Sequence, residues 1–328
     1  HISMIIDNAK PELNILLAAP RGFCAGVIRA IEIVERLLER HGPPIYVRHE
    51  IVHNPFVVSK LRAQGAIFVD ELSEIPDEAI TVFSAHGVAR AIENEAEQRG
   101  LPTYDATCPL VTKVHLHGRR FAEAGRTIVL IGHEGHAEVL GTIGQIDAPI
   151  HLVSTPDDVE QLPLDPSTPI AYLTQTTLSV DDTKGVIAAL ERRFFDVVGP
   201  NVSDICYATQ NRQNAVRKLA SESDLILVVG ARNSSNSNRL RELSEEYGVR
   251  AFLLNDASEF DPAWIEGLGT IGITAGASAP EELVEGLVER IGQIRKITVS
   301  ELVGTEENVS FSLPRSLRDR PAARSAQN

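Results

Sequence analysis

A chain of 328 residues is long enough for two or three compact units, and 43% hydrophobic with 23% charged residues is the makeup of an ordinary globular protein. A net charge of −14 argues against a nucleic-acid-binding surface, no apolar run reaches the roughly 18–20 residues that span a bilayer, and no basic segment followed by an apolar core marks a secretory signal. Three cysteines, an odd number, suggest no disulfide framework, so a cytoplasmic protein with bare N-x-S/T sequons is expected, with neither nucleic acid nor membrane as partner.

The three residues ahead of Met4 read as a cloning remnant. NILLAAP, from Asn14, reads as a first strand, and RGFCAG as a turn that sets Cys24 between Gly22 and Gly26. Val27, Ile28, Ile31, Val34, Leu37 and Leu38 then follow helical spacing. IYVRHEIV reads as a strand ending at His53-Asn54-Pro55, and ITVFSAHG as another ending at His86. LPTYDAT leads to Cys108, with Pro109 suited to the first turn of a helix. TIVLIG ends at the polar run from His133 to Glu138, and IAYLTQTT at Thr176 and Thr177. FFDVVGPNVSDI precedes Cys206, and YATQNRQNAVRKLA follows it as a helix. LILVVG ends in NSSNSN, and GTIGITAGAS at Ser278.

These elements repeat. His53, His136 and Ser234 lie 29, 28 and 28 residues after their cysteines; His86, Thr176 and Ser278 lie 62, 68 and 72 after theirs. The predicted fold class is therefore α/β, with three pseudo-threefold-related units and parallel sheets. The units span residues 25–107, 108–205 and 206–298. Residues 1–24 hold the remnant and a strand that completes the third unit, and residues 299–328 form an extension whose Arg- and Pro-rich end, past about residue 314, is expected to be disordered. Ligands gather at the C-terminal ends of parallel strands, so units packed about an axis would bring nine polar loops to one cavity.

Cysteines 84 and 98 residues apart do not form a C-x-x-C zinc knuckle. A helix N-terminus favours the thiolate, and three such turns suit either a zinc ion completed by histidine or a [4Fe-4S] cluster with one iron left without a protein ligand. HEGH at 133–136 is not H-E-x-x-H, and neither a P-loop nor a G-x-G-x-x-G turn is present. Ser, Thr, Asn and His at helix starts suit a phosphate or diphosphate. Glu138 is the carboxylate placed to deliver a proton.

RGFCAGVIRAIEIVE, EIVHNPFVV, FSAHGV, DATCPLVTKVH, IGHEGHAEVLGT, TQTTLSVDDT, NSSNSNRL and TAGASAP, in that order, resemble the 4-hydroxy-3-methylbut-2-enyl diphosphate reductase family of the non-mevalonate isoprenoid pathway, over about residues 13–298. The resemblance implies a trefoil of three α/β units around a central iron–sulfur site. It implies a [4Fe-4S] cluster on Cys24, Cys108 and Cys206, able to lose its unliganded iron in air and become [3Fe-4S]. It gives the substrate diphosphate to His53, His86, Ser234, Asn236 and Ser278, with His136 and Ser235 close by. Thr176 and Glu138 would flank the substrate hydroxyl. Two electrons, from a donor such as ferredoxin or flavodoxin, and two protons would remove that hydroxyl as water, giving isopentenyl and dimethylallyl diphosphate. A monomer or weak homodimer is expected. Two rivals fit less well: a quinolinate-synthase-like enzyme, whose dicarboxylate substrates would favour Arg or Lys in the loops, and an iron–sulfur sensor, which would need no Glu138.

Overall fold

The computed structural model describes residues 10–319. The chain starts with β1 (Leu13–Leu17) and turns through Cys24 into α1 (Ala25–His41), whose buried face includes Val27, Ala30, Val34 and Leu37. There follow β2 (Ile45–Arg48), α2 (Pro55–Gln64), β3 (Ala66–Val69), β4 (Thr81–Phe83), α3 (Arg90–Gln98) and β5 (Thr103–Asp105). The succession recurs as α4 (Pro109–Glu123), β6 (Thr127–Ile131), α5 (Ala137–Gln145), β7 (Ile150–Val153), α6 (Pro156–Glu160), β8 (Ile170–Thr174), α7 (Val180–Arg193) and β9 (Val197–Val198). It recurs again as α8 (Tyr207–Glu222), β10 (Leu225–Val229), α9 (Ser235–Glu246), β11 (Arg250–Leu254), β12 (Thr270–Ala275), α10 (Glu281–Gly292) and β13 (Ile297–Glu301).

Three sheets result, ordered β3-β2-β4-β5, β7-β6-β8-β9 and β11-β10-β12-β1-β13, and every pairing is parallel. In the third sheet β1 takes the place that β5 and β9 take in the others, pairing Asn14 with Thr270 on one side and Leu13 with Ile297 on the other. Central strands β8 and β10 are buried continuously rather than on alternate residues. LILVV of β10 and IAYLT of β8 are buried at every position, because helices cover both faces of each sheet. Two apolar clusters accompany each sheet accordingly: Leu227 and Ile273 belong to one face of the third sheet, Ile226 and Val228 to the other.

The outer strands β3, β7 and β11 were not among the sequence expectations. They are short segments at sheet edges, less deeply buried than the centres. The tail also departs from expectation. Beyond β13 it runs back over the molecule, with Glu307 paired to Arg212 at 3.0 Å and the carbonyl of Ser312 accepting from Arg29 at 2.9 Å. A 3-10 turn at Arg315–Leu317 then sinks Leu317 into the first unit's core. Arg40, at the end of α1, donates to the carbonyls of Ser316, Leu317 and Arg318. One apolar anchor and a set of arginine donors order this polar segment as far as Asp319. The residues before Met4 and those from 320 on lie outside the described range. Among the described residues, no helix is long and apolar enough to cross a membrane.

Candidate active site

Each cysteine caps the N-terminus of the helix that leaves a fourth-position strand: Cys24 caps α1, Cys108 caps α4 and Cys206 caps α8. Their backbone N–H groups are tied in equivalent ways. Cys24 donates to the carbonyl of Ala277 (3.2 Å), Cys108 to that of Ala85 (3.0 Å) and Cys206 to that of Thr176 (3.0 Å). Those acceptors stand two residues beyond the ends of β12, β4 and β8. The turn that bears each sulfur is thus fastened to the polar loop of the adjoining strand. Gly26 makes the approach possible. A Cβ there would lie 2.6 Å from Cys108 Sγ and 3.9 Å from Cys24 Sγ.

A second ring of residues comes from the loops opening α2, α5 and α9. Asn54 caps α2 through its side chain, His136 caps α5 and Ser234 caps α9, which sets His53, His136 and the Ser234-Ser235-Asn236 run around the cavity. The rings of His53 and His86 lie 3.9 Å apart, with His136 edge-on at 5.4 and 6.0 Å from them. Ser278 Oγ donates to the carbonyl of His53 (3.0 Å), and Asn236 Oδ1 accepts from the N–H of Ala277 (2.9 Å). Ser235 Oγ lies 3.0 Å from the hydroxyl of Thr177. All the site residues implied by the resemblance line this one cavity, and no lysine or arginine does among the described residues; His133, from the same loop as His136, instead meets Arg239 at 3.2 Å.

Glu138 is the second residue of α5, almost wholly buried. Its carboxylate accepts from the N–H of Thr176 (2.7 Å) and from Thr176 Oγ1 (2.9 Å). Burial outweighs these two donors and pushes the Glu138 carboxyl up to about 7, so both forms are populated near neutrality. Burial pushes His136 down to about 4 and holds His86 well below the ordinary histidine range. The thiols also move against expectation. Burial pushes Cys108 up to about 12 and Cys206 to about 11, and raises Cys24, despite the backbone N–H groups at the helix starts. A helix terminus alone does not make these groups thiolates; a bound cation would.

Among the described residues, no three His, Cys, Asp or Glu side chains close around a single ion. Three free cysteines on one cavity, each on a different helix, suit a body with several metal atoms, each sulfur meeting a different one.

The family model described as LytB protein matches residues 15–292. The chain belongs to this family. Curated relatives named 4-hydroxy-3-methylbut-2-enyl diphosphate reductase include one from Zymomonas mobilis, 60% identical over 96% of this chain and 93% of its own length. Another, numbered 1 in Rhodopseudomonas palustris, is 63% identical over 92% of this chain and 98% of its own. A solved reductase from Plasmodium falciparum superposes with a TM-score of 0.89 at 38% identity, covering 94% of this chain and 97% of that one. This LytB chain therefore shares fold and family with reductases along nearly its whole length.

Several residues of the LytB site escaped the sequence reading. Thr209 places its N–H and hydroxyl 3.4 and 3.1 Å from Cys206 Sγ, and Asn236 Nδ2 reaches the same hydroxyl at 3.4 Å. A Thr three residues after a capping Cys was the available signal. Gln175 spans the second and third units by bonding Thr177 and Ser235. Glu50, three residues before His53, lies 3.2 Å from its Nδ1.

Proposed function

We propose that this chain reduces 4-hydroxy-3-methylbut-2-enyl diphosphate to isopentenyl and dimethylallyl diphosphate, with a [4Fe-4S] cluster held by Cys24, Cys108 and Cys206. The observation that carries the reading is the meeting of three separately borne cysteines with Glu138 and a ring of histidine and hydroxyl donors in one cavity. The units 108–205 and 206–298 would each contribute one sulfur turn and two polar loops, and the unit 25–107, directly after the Cys24 turn, two polar loops.

When bound, the cluster would supply electrons and a Lewis-acidic iron without a protein ligand. The remaining work falls to side chains. His53, His86, His136, Ser234, Asn236 and Ser278 would grip the diphosphate, with Ser235 beside them, in place of lysine or arginine. Fixing that end holds the alcohol still, and positioning of this kind contributes much of a rate enhancement. Glu138, oriented by Thr176, would give a proton to the departing hydroxyl oxygen. The overall change balances: the C–O bond breaks, two electrons and two protons enter, and water leaves with one new C–H bond. The electrons would come from a one-electron carrier of the ferredoxin or flavodoxin type. Three free thiols suit a reducing compartment such as the cytoplasm. A monomer or weak homodimer would suffice, since one chain supplies every cavity residue named.

The test is anaerobic purification, then iron and sulfide analysis, an absorption spectrum and turnover with a reduced viologen dye. Four iron and four sulfide per chain with conversion of the allylic diphosphate is the expected result. Protein free of iron and sulfide that cannot be reconstituted, or loaded protein inert toward that substrate, would overturn the proposal.

A further inference from the structure

Three histidine rings face the space assigned above to the diphosphate, and their hydrogen bonds set them apart. Nδ1 of His136 accepts from the N–H of Glu138 at 3.2 Å, so the ring hydrogen is on Nε2. The hydroxyl of Ser84 lies 3.3 Å from Nδ1 of His86 and can donate to it, giving the same tautomer. Both rings can therefore offer Nε2–H to an anion while neutral, as their burial favours. His53 is the reverse case. Its Nδ1 lies 3.2 Å from Oε2 of Glu50, a carboxylate that only accepts, and 3.4 Å from Nδ2 of Asn233, an amide nitrogen that only donates; the shorter contact puts the hydrogen on Nδ1, toward Glu50. A neutral His53 would turn an Nε2 lone pair toward the cavity and repel an anion there.

We infer that Glu50 is a positioning residue that makes His53 the cationic ligand of the diphosphate: binding draws a proton onto Nε2 of His53, and the Glu50 carboxylate stabilises the resulting imidazolium. This rests on the diphosphate reductase reading above. The hydrogen bond from His53, followed by the one from Asn233, holds the Glu50 carboxyl below its ordinary range, in keeping with an ionised partner. Asn233 Nδ2 donates to the same Oε2 at 3.0 Å, joining the third unit's loop to the first unit's rim. The other titratable groups around His53 are His86 and His136, which face its ring, and His49, which acts through space. His86 and His136 are kept neutral by burial, and Glu50 is the carboxylate that meets the ring. One cation in a cavity with no lysine or arginine lining it gives an anion charge-assisted contact.

The sign of the pH effect follows. A ligand that needs the imidazolium binds tightly at low pH and loses affinity as pH rises through the titration of the complex. Removing the carboxylate's charge moves that loss to lower pH, by about one unit or more for an opposite charge in contact. Glu50→Gln preserves an acceptor for Nδ1 and for Asn233 while removing the charge. In the iron-loaded enzyme with a reduced dye, Glu50→Gln is expected to raise KM for the allylic diphosphate about tenfold at pH 8 and less at pH 6, with kcat changed less than twofold. Calorimetry with inorganic diphosphate in two buffers of different ionisation enthalpy should show less proton uptake than in the wild type. Asn233→Ala removes the contact between units and keeps the carboxylate, so its KM–pH curve should retain the wild-type midpoint. A Glu50→Gln curve that overlays the wild type, or an Asn233→Ala curve displaced as far as that of Glu50→Gln, overturns this inference and leaves the function standing. A loaded wild-type enzyme that neither binds diphosphate nor turns over the allylic diphosphate overturns both.

Discussion

Thr176 holds Glu138 twice, through its backbone N–H at 2.7 Å and its hydroxyl at 2.9 Å. Because the N–H of Cys206 is bonded to the carbonyl of the same threonine, the carboxyl and one of the sulfur turns share a single residue as their common mount. Glu138→Gln keeps the shape and loses the proton. Turnover with a chemical donor should fall at least a hundredfold, in the range general acids supply, while iron content and substrate binding stay near wild type. Turnover close to the wild-type rate would remove Glu138 from the chemistry.

The position of this carboxyl, near 7, fixes a second prediction. Only the protonated form can donate, so kcat should decline as pH rises through about 7. The stability effect has the same direction. Below about 4.5 the carboxyl is protonated in both folded and unfolded chains; between about 4.5 and 7 only the unfolded chain ionises fully, so the folded state loses ground, and the loss is complete above 7. Cluster-free Glu138→Gln should therefore melt above the wild type at pH 8 and level with it at pH 4.5, as read by scanning calorimetry.

Replacement of Cys24, Cys108 or Cys206 by Ser, one at a time, should leave the fold intact by circular dichroism and sharply lower iron and sulfide after anaerobic reconstitution. In air, the wild type should show the electron spin resonance of a [3Fe-4S] species as the iron without a protein ligand departs. Full iron content in all three variants would be incompatible with the proposed ligands.

Gly26→Ala gives an independent check on the same site without replacing a ligand. The added methyl would stand 2.6 Å from Cys108 Sγ, well inside contact distance, so the helix start or the sulfur has to shift. Iron content should fall at least severalfold while the far-ultraviolet spectrum stays unchanged.

Leu317 is nearly inaccessible within the first unit's core although it lies past the last strand. Leu317→Ala should lower unfolding free energy by about 2–4 kcal/mol, the usual range for a buried Leu truncated to Ala. Denaturant titration at constant m-value would show it. A loss under 0.5 kcal/mol would mean that the tail does not contribute to the core.

Much of this was legible because the site is written locally three times. Each apolar run that ends in His, Thr or Ser–Asn marks the C-terminal end of a strand, and His53, His136 and Ser234 stand at matching distances after their cysteines. What stayed hidden depends on packing. AIFV, IHLV and AFLL are short edge strands with little periodicity to display. The contact between Glu50 and Asn233 joins residues 183 apart. The raised thiols reflect burial created only when the loops of separate units meet, which local reasoning from helix ends could not anticipate.

β1 has a consequence for how a newly made chain matures. It is synthesised first, yet its partners in the sheet, β12 and β13, are synthesised last, roughly 250 residues later by the pairing of Asn14 with Thr270. Until they emerge, Cys24 lacks both the sheet beneath it and the Ala277 carbonyl that fixes its turn. A nascent chain that has not yet exposed β12 therefore has at most two of its sulfur turns in place. Loading of all three sulfurs with iron and sulfide has to wait for β12, and a chain truncated before β12 would be inert however well its earlier segments fold.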